Sequence, residues 1–289
     1  MIFINCVICF NLIFIVDHLD EKFELTYLIR PNSKREHAEN DDSVCIWDCA
    51  FEPTIEGQDA TCGANTVSMI ECHTGKVIAK YTNLIEVENY YSLDWTIIKV
   101  SSEKDNNNDK DQEVTVIENH NQYCPILAAG GQLGEIIFLN RMQGECFRYA
   151  EPKVSNLQPI TQIRFSRDNP KWLFAGSEDK YVYMYDIGEL NDTEQDEATN
   201  LAKFVGLKKD PTSINVVKNN LIVGCLNGVI AVYDLTNIPS VEEIKKSGHP
   251  VNISISHQFS SLHNTYIDDI IPYFPQYHQA NEKSLVHTF

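Results

Sequence analysis

One arrangement of apolar and polar positions recurs along this chain. Small residues lead to a glycine, a short polar turn follows, and an alternating apolar run ends on an acid or an amide. Copies run from Leu127-Ala128-Ala129-Gly130 to Asn140, from Leu173-Phe174-Ala175-Gly176 to Asp186, and from Leu221-Ile222-Val223-Gly224 to Asp234. In each, the glycine stands ten positions before the closing residue, and these glycines are 46 and 48 residues apart. A copy two residues shorter runs from Ala60-Thr61-Cys62-Gly63 to Glu71. Gly63 lies 67 residues before Gly130, and the acidic stretch 101–122 supplies 22 of them, so setting it aside restores the period. Alternation with a period of two turns one side of each run toward a core, as in a half-buried strand.

Each copy has another strand-like run in front of it: 47–51, 91–95, 160–166 and 213–217. An outer run, Lys76 to Tyr81, follows the first copy after Thr74-Gly75. Leu133-Gly134 and Asn227-Gly228 predict tight hairpins between the two middle strands. A unit of about four strands every 40–45 residues, closing on Tyr-Asp where Trp-Asp is usual, is the signature of a WD-repeat propeller blade. The predicted fold is an all-β WD-repeat β-propeller of about four recognisable blades over residues 25–240, partial or incompletely closed. Gly63, Gly130, Gly176, Asp179, Asp186, Gly224 and Asp234 are its structural markers, with Asp179 as the turn acid of the third blade. Leu25 to Leu28 is a candidate closing strand. Residues 241–289 are expected to hold a weak strand at 251–256 and then a tail.

Charge changes this picture only at the rim. Lys and Arg total 23 against 41 Asp and Glu, a formal net charge of −18. Half of that excess lies in 101–122 and 189–200, which lack apolar periodicity and read as solvated loops. Such acidity argues against direct nucleic-acid binding, which needs a basic surface, and suits a basic protein partner. The 9 cysteines have no regular spacing and sit mostly in apolar runs, as buried thiols of a reducing compartment do. Cys6-x-x-Cys9 has no second pair at zinc spacing, so no metal and no cofactor is expected.

The opening run, 1–16, is apolar but has no preceding cation, is shorter than a bilayer span, and has no small-residue cleavage site behind it. A signal or anchor, a buried strand and a wrongly joined start are its readings. The last is favoured, which makes 1–24 an extension of doubtful origin and leaves no membrane partner.

Gly130-Gly131-Gln132-Leu133-Gly134 mimics a phosphate loop, but a strand follows it and no Lys-Ser/Thr does. No G-x-S-x-G and no H-E-x-x-H occurs either, so the chain is read as non-enzymatic. The candidate binding residues are aromatic. Trp47 and Tyr91 open the first two inner strands, at one channel mouth, where aromatic faces attract a cation.

Trp47 through Pro53, Ala60 through Gly63, Ile70 through Gly75, Lys80-Tyr81, Tyr91 through Thr96, Ile126 through Gly130, Phe165-Ser166, Trp172 through Phe174, Asp179-Lys180 and Asp186 through Gly188 carry a family resemblance. The chain resembles, over about 25–240, the WD-repeat half of the leucine-rich repeat and WD repeat-containing, origin recognition complex-associated family. That resemblance implies a nuclear, non-catalytic chromatin scaffold. Its implied partners are histone tails with repressive methyl marks and origin recognition complex subunits at heterochromatin, in the initiation of DNA replication. Tyr90 through Thr96, Gly130 and 160–173 are similar to a related family, the embryonic ectoderm development polycomb propeller, whose central mouth reads trimethyl-lysine with four aromatics. Trp47 and Tyr91 match two of these by position. The other two belong near 211–214, which here reads Pro-Thr-Ser-Ile. The alternatives are a WD-repeat adaptor outside chromatin, in which Trp47 and Tyr91 are packing residues, a polycomb-type methyl-lysine reader subunit, and a secreted or membrane-tethered domain led by 1–16.

Overall fold

A computed structural model describes residues 4–9, 12–19, 22–29, 46–100, 122–140, 158–188, 198–260, 263 and 265–271. Most of the acidic stretches, at 101–121 and 189–197, and the tail beyond 271 lie outside the described residues. Strands β1 (Ile4–Cys9), β2 (Leu12–Leu19) and β3 (Lys22–Ile29) form an antiparallel meander. The described part of the opening apolar run therefore pairs with the strand that holds Leu25 to Leu28, in one small sheet of its own, and not with the blades.

Four further sheets follow in chain order, each a WD blade whose first strand is innermost. The first contains β4 (Asp48–Phe51), β5 (Gln58–Gly63), β6 (Thr66–Glu71) and β7 (Lys76–Thr82). The second contains β8 (Tyr90–Val100), β9 (Gln122–Gly131) and β10 (Ile136–Asn140). The third begins with β11 (Ile160–Phe165), β12 (Trp172–Ser177), β13 (Tyr181–Asp186) and β14 (Thr199–Val205). The fourth begins with β15 (Pro211–Val217), β16 (Asn220–Cys225) and β17 (Ile230–Asp234). The sheets form an all-β, partial propeller, and every segment from glycine to acid or amide makes the middle hairpin of one blade. Thr199 and Asn200, expected in a solvated loop, instead pair with Asp186 and Tyr185 at the start of β14.

After β17 the chain crosses back before it goes on. Helix α1 (Val241–Ser247) is closed by a capping box of Ser240 and Glu243, and ends at Gly248 in the left-handed region. Strand β18 (Val251–Ser254) then lies parallel to β14, as a fifth strand on the third blade. Strand β19 (His257–Phe259) returns to β17 as the fourth strand of the fourth blade. The weak strand expected at 251–256 is thus present, but it serves the neighbouring blade.

Between successive blades lie separate apolar clusters. Ala60, Cys62, Tyr90, Leu93 and Trp95 fill the first interface, Ile126, Phe138, Ile160 and Ile163 the second, and Phe174, Phe204, Ile214 and Tyr233 the third. The recurrent glycines belong to these interfaces. A Cβ on Gly130 would lie 2.8 Å from Ile160 Cγ2, and one on Gly176 would lie 2.9 Å from Pro211 Cγ. A Cβ on Gly224 would lie 2.6 Å from Ile267 Cβ. Each glycine thus lets the next inner strand approach closely. Ile267 and Ile270 form a further cluster with Ile230, so residues 266–271 pack along the fourth blade beside its inner strand.

Polar staples run along the same inner strands. The Asp48 carboxylate accepts from Leu93 N at 3.0 Å and from Ser92 Oγ at 3.1 Å. Ser92 Oγ in turn accepts from Ile163 N at 3.1 Å. Asp94 accepts from Phe165 N at 2.7 Å and pairs with Arg164 at 3.6 Å, while Arg164 Nε donates to Ile214 O at 3.3 Å. Thr161 Oγ1 donates to Pro211 O, and Thr212 Oγ1 to Ile267 O, both at 2.6 Å. Asn215 Nδ2 donates to Ile270 O at 2.7 Å. Each inner strand is bonded to the next, from the first blade to residue 270.

Burial outweighs these donors and the nearby Arg164 charge at Asp48, and pushes its carboxyl up from 3.8 to about 6. Asp94 is raised in the same way. The folded chain therefore binds protons there that the unfolded chain has released; stability from Asp48 falls as pH rises between about 4 and about 6, and Asp94 acts in the same direction. Urea midpoints measured across that range should show the slope, and Asp48→Asn should remove a part on the order of 1–3 kcal/mol. An unchanged slope in the variant would contradict the raised value. Gly176→Ala should lower the unfolding free energy by about 1–3 kcal/mol, because the methyl group meets Pro211 and Ile214 in a filled interface. Gly248→Ala should differ in cause, since its Cβ meets nothing and only the positive φ is strained.

Candidate functional site

Register explains what each inner strand presents at the channel mouth. Opposite β9, Tyr90 pairs with Gly131 and Ser92 with Gly130, so Tyr91 is an extra, bulged residue. The same shift occurs between Ile160 and Gln162 and between Pro211 and Ser213, which makes Thr161 and Thr212 the equivalents of Tyr91. The bulge turns all three side chains out of the strand alternation. In the third and fourth blades the residue is a threonine that staples the next strand. In the second it is an aromatic.

Tyr91 meets Trp47 there. The ring centroids are 5.3 Å apart and the planes stand at 87°. Trp47 N donates to Cys62 O at 2.9 Å, which fixes its backbone just ahead of β4, and its side chain remains 51% exposed. Tyr91 is half-buried and its hydroxyl donates to Gln132 Oε1. Two carboxylates act on Tyr91. Burial, then the negative charges of Glu178 and Glu88, raise the Tyr91 hydroxyl above its usual range. Glu88 is itself buried, and its carboxylate accepts from Asn89 N at 3.0 Å and Leu133 N at 3.3 Å. The faces of such rings attract cations in general, most strongly where negative charge stands near.

The two sequence-predicted aromatics are thus brought together. Positions 211–214 supply no further wall: Pro211 and Ile214 are buried, and Thr212 is engaged with Ile267. The repeat markers lie elsewhere. Asp179 accepts from Tyr181 N and Tyr183 Oη within its turn, and Asp186 and Asp234 cap the residues after their strands. Among the described residues no group of three or more His, Cys, Asp or Glu is placed to hold a metal ion. Cys49, Cys62, Cys72, Cys124 and Cys225 are outside disulfides, and all but Cys49 are buried.

The sequence reading missed the staples Asp48, Ser92, Asp94 and Arg164. A signal was present: an aspartate next to tryptophan inside each of two strands, where charged residues are uncommon. It also missed a cavity of about 610 Å³ at the opposite ends of the inner strands, lined by Phe51, Asp94, Trp95, Arg164 and Arg167 among others.

Known proteins of similar sequence and shape bear on this geometry. "Leucine-rich repeat and WD repeat-containing protein 1" of Danio rerio is 29% identical over 210 residues, which is 68% of this chain and 25% of that protein. The chain thus spans about a quarter of that relative's length. Among solved structures, a chain of an active polycomb repressive complex 2 in the basal state superposes with a TM-score of 0.59 at 15% identity, covering 81% of this chain and 46% of that one. A chain of ctPRC2 in complex with H3K27me3 and H3K27M gives a TM-score of 0.57 at 15% identity, covering 79% and 44%. At such identity these two structures share the fold. The family profile described as leucine-rich repeat and WD repeat-containing protein 1, WD domain, matches residues 18–238, well over half of the chain. Repeat, blade geometry and profile agree, and the chain belongs to that family.

Proposed function

We propose that this chain is a non-catalytic, chromatin-associated scaffold of the nucleus that binds basic histone tails at the mouth formed by Trp47 and Tyr91. The observation that carries this reading is the perpendicular ring pair, 5.3 Å between centroids, with Glu178 and Glu88 as the nearby charges. A quaternary ammonium presents a diffuse positive charge that aromatic faces attract, and such contacts are worth about 0.5–2 kcal/mol each. The net charge of −18 favours approach of a cationic segment at long range. A fold neighbour recorded with H3K27me3 supports the choice of a histone tail as ligand. The name of the family supports a wider assembly in which such a platform helps recruit or stabilise the origin recognition complex at heterochromatin.

One observation favours a second reading, a protein-interaction adaptor outside chromatin. The stretch 211–214, where the two further cage aromatics would stand, holds Pro211 and Ile214 buried and Thr212 bonded to Ile267, so two of the walls are missing.

Titration of a histone H3 peptide panel, followed by fluorescence anisotropy, separates the readings. On the histone reading, trimethylated peptides bind at least about fivefold tighter than unmodified ones, and Trp47→Ala removes that preference while the thermal midpoint stays put. Equal binding of all peptides, untouched by Trp47→Ala, would leave the adaptor reading. Gln132→Ala frees the Tyr91 hydroxyl and should weaken the preference by about twofold to fivefold through a less fixed ring.

A further inference from the structure

The loop between β7 and β8, residues 83–89, holds a group of side chains that the ring pair does not use. Leu84 is 98% exposed, Val87 70% and Ile85 45%, with Glu86 exposed between them. Large apolar residues standing singly in water are ordinary, but three within four positions form a patch. The loop is nevertheless firmly held. Asn83 N donates to Asn65 O and Asn65 Nδ2 to Asn83 O, both at 2.8 Å. Asn83 Nδ2 donates to Tyr90 Oη at 2.9 Å, and Asn83 Oδ1 accepts from Ile85 N at 3.0 Å. Glu88 N closes the turn on Ile85 O at 3.1 Å, and the buried Glu88 carboxylate ties its end to Leu133. Six bonds thus fix a turn whose apolar side chains face outward. Such an arrangement loses little conformational entropy when a partner covers it.

The position of the turn specifies the partner. Asn83 is bonded to Asn65 and to Tyr90, and Tyr90 N is bonded to Ala64 O, so the turn runs directly into the start of the strand that carries Tyr91 and lies on the same face as the rings. That face carries exposed acids, Glu86 on the turn and Glu178 near Tyr91. We infer that Leu84, Ile85 and Val87 form a second contact for the same extended cationic tail that enters the ring pair, taking a large aliphatic residue of that tail a few positions from its lysine. This rests on the reading of the ring pair as a cation site. The rings take the charge and the turn takes the neighbouring apolar side chain, so the tail is read in two places and in one direction. A tail lacking the aliphatic residue binds through the rings alone.

The experiment uses the full chain and designed peptides. Labelled peptides carrying one trimethyl-lysine in a glycine, alanine and lysine background are titrated by anisotropy. A leucine is then scanned over about two to six residues on either side, the reach of an extended strand across this face. One leucine position should tighten binding by about tenfold. The Leu84→Ser/Val87→Ser variant, changed only at exposed positions, should lose that gain and keep its affinity for the leucine-free parent within about twofold. No favoured position, or a gain that survives in the double variant, would overturn the second contact while binding of the parent peptide upholds the ring site. Failure of the parent peptide to bind in a Trp47-dependent way would overturn both.

Discussion

A carboxylate drawn out of water must be met by donors, and Asp48 and Asp94 each take donors from the next blade beside one from their own strand. Each therefore ties its own folding to the presence of a neighbour. Ser92 carries the first of these ties on to the third blade, because its hydroxyl donates to Asp48 and accepts from Ile163 N. Apolar clusters supply most of the favourable energy between blades, yet they do not select a unique rotation of one sheet on another. Hydrogen bonds between inner strands do, and they hold the ends of those strands around one mouth.

The mouth shows what each blade does with its bulged residue. The backbone shift is the same in the second, third and fourth blades, so the position is offered equally in all of them. Threonine spends it on a staple to the following strand. Tyrosine cannot make that bond and leaves it to Ser92, one residue along, which reaches Ile163. Ser92 thus makes the tie to the next strand that the threonines make in the later blades. A cage with more aromatic walls would need the same transfer at Thr161 and Thr212, and Ser213 stands in the corresponding place only in the fourth blade.

Much of this was legible from residue order alone. The spacing of Gly130, Gly176 and Gly224 fixed the middle hairpins, and the strand before each became an inner strand. Gly134 and Gly228 turn with positive φ where the tight hairpins were expected, and Lys180 takes the same conformation without being glycine. The meeting of Trp47 and Tyr91 followed from their places at the starts of adjacent inner strands. The staples were not legible, because alternation says which face a side chain occupies and not which atoms wait across the interface. Strand β18 was visible as a strand but not as a partner of β14, since a parallel pairing some fifty residues distant leaves no local mark. Residues 266–271 were hidden for a similar reason: their apolar pair, Ile267 and Ile270, is too short a pattern to stand out without Gly224 beside it.

The return of the chain through β18 has an effect on how the array comes apart. A row of blades touching only nearest neighbours can unravel from its end, one unit at a time. Here the link from β17 to β19 runs through the outer edge of the preceding blade, with Ile244 of α1 seated in the cluster that both share. Neither of the last two blades can open alone without stripping a strand from the other. They form a single cooperative block, and local opening of the arc is left to its earlier blades.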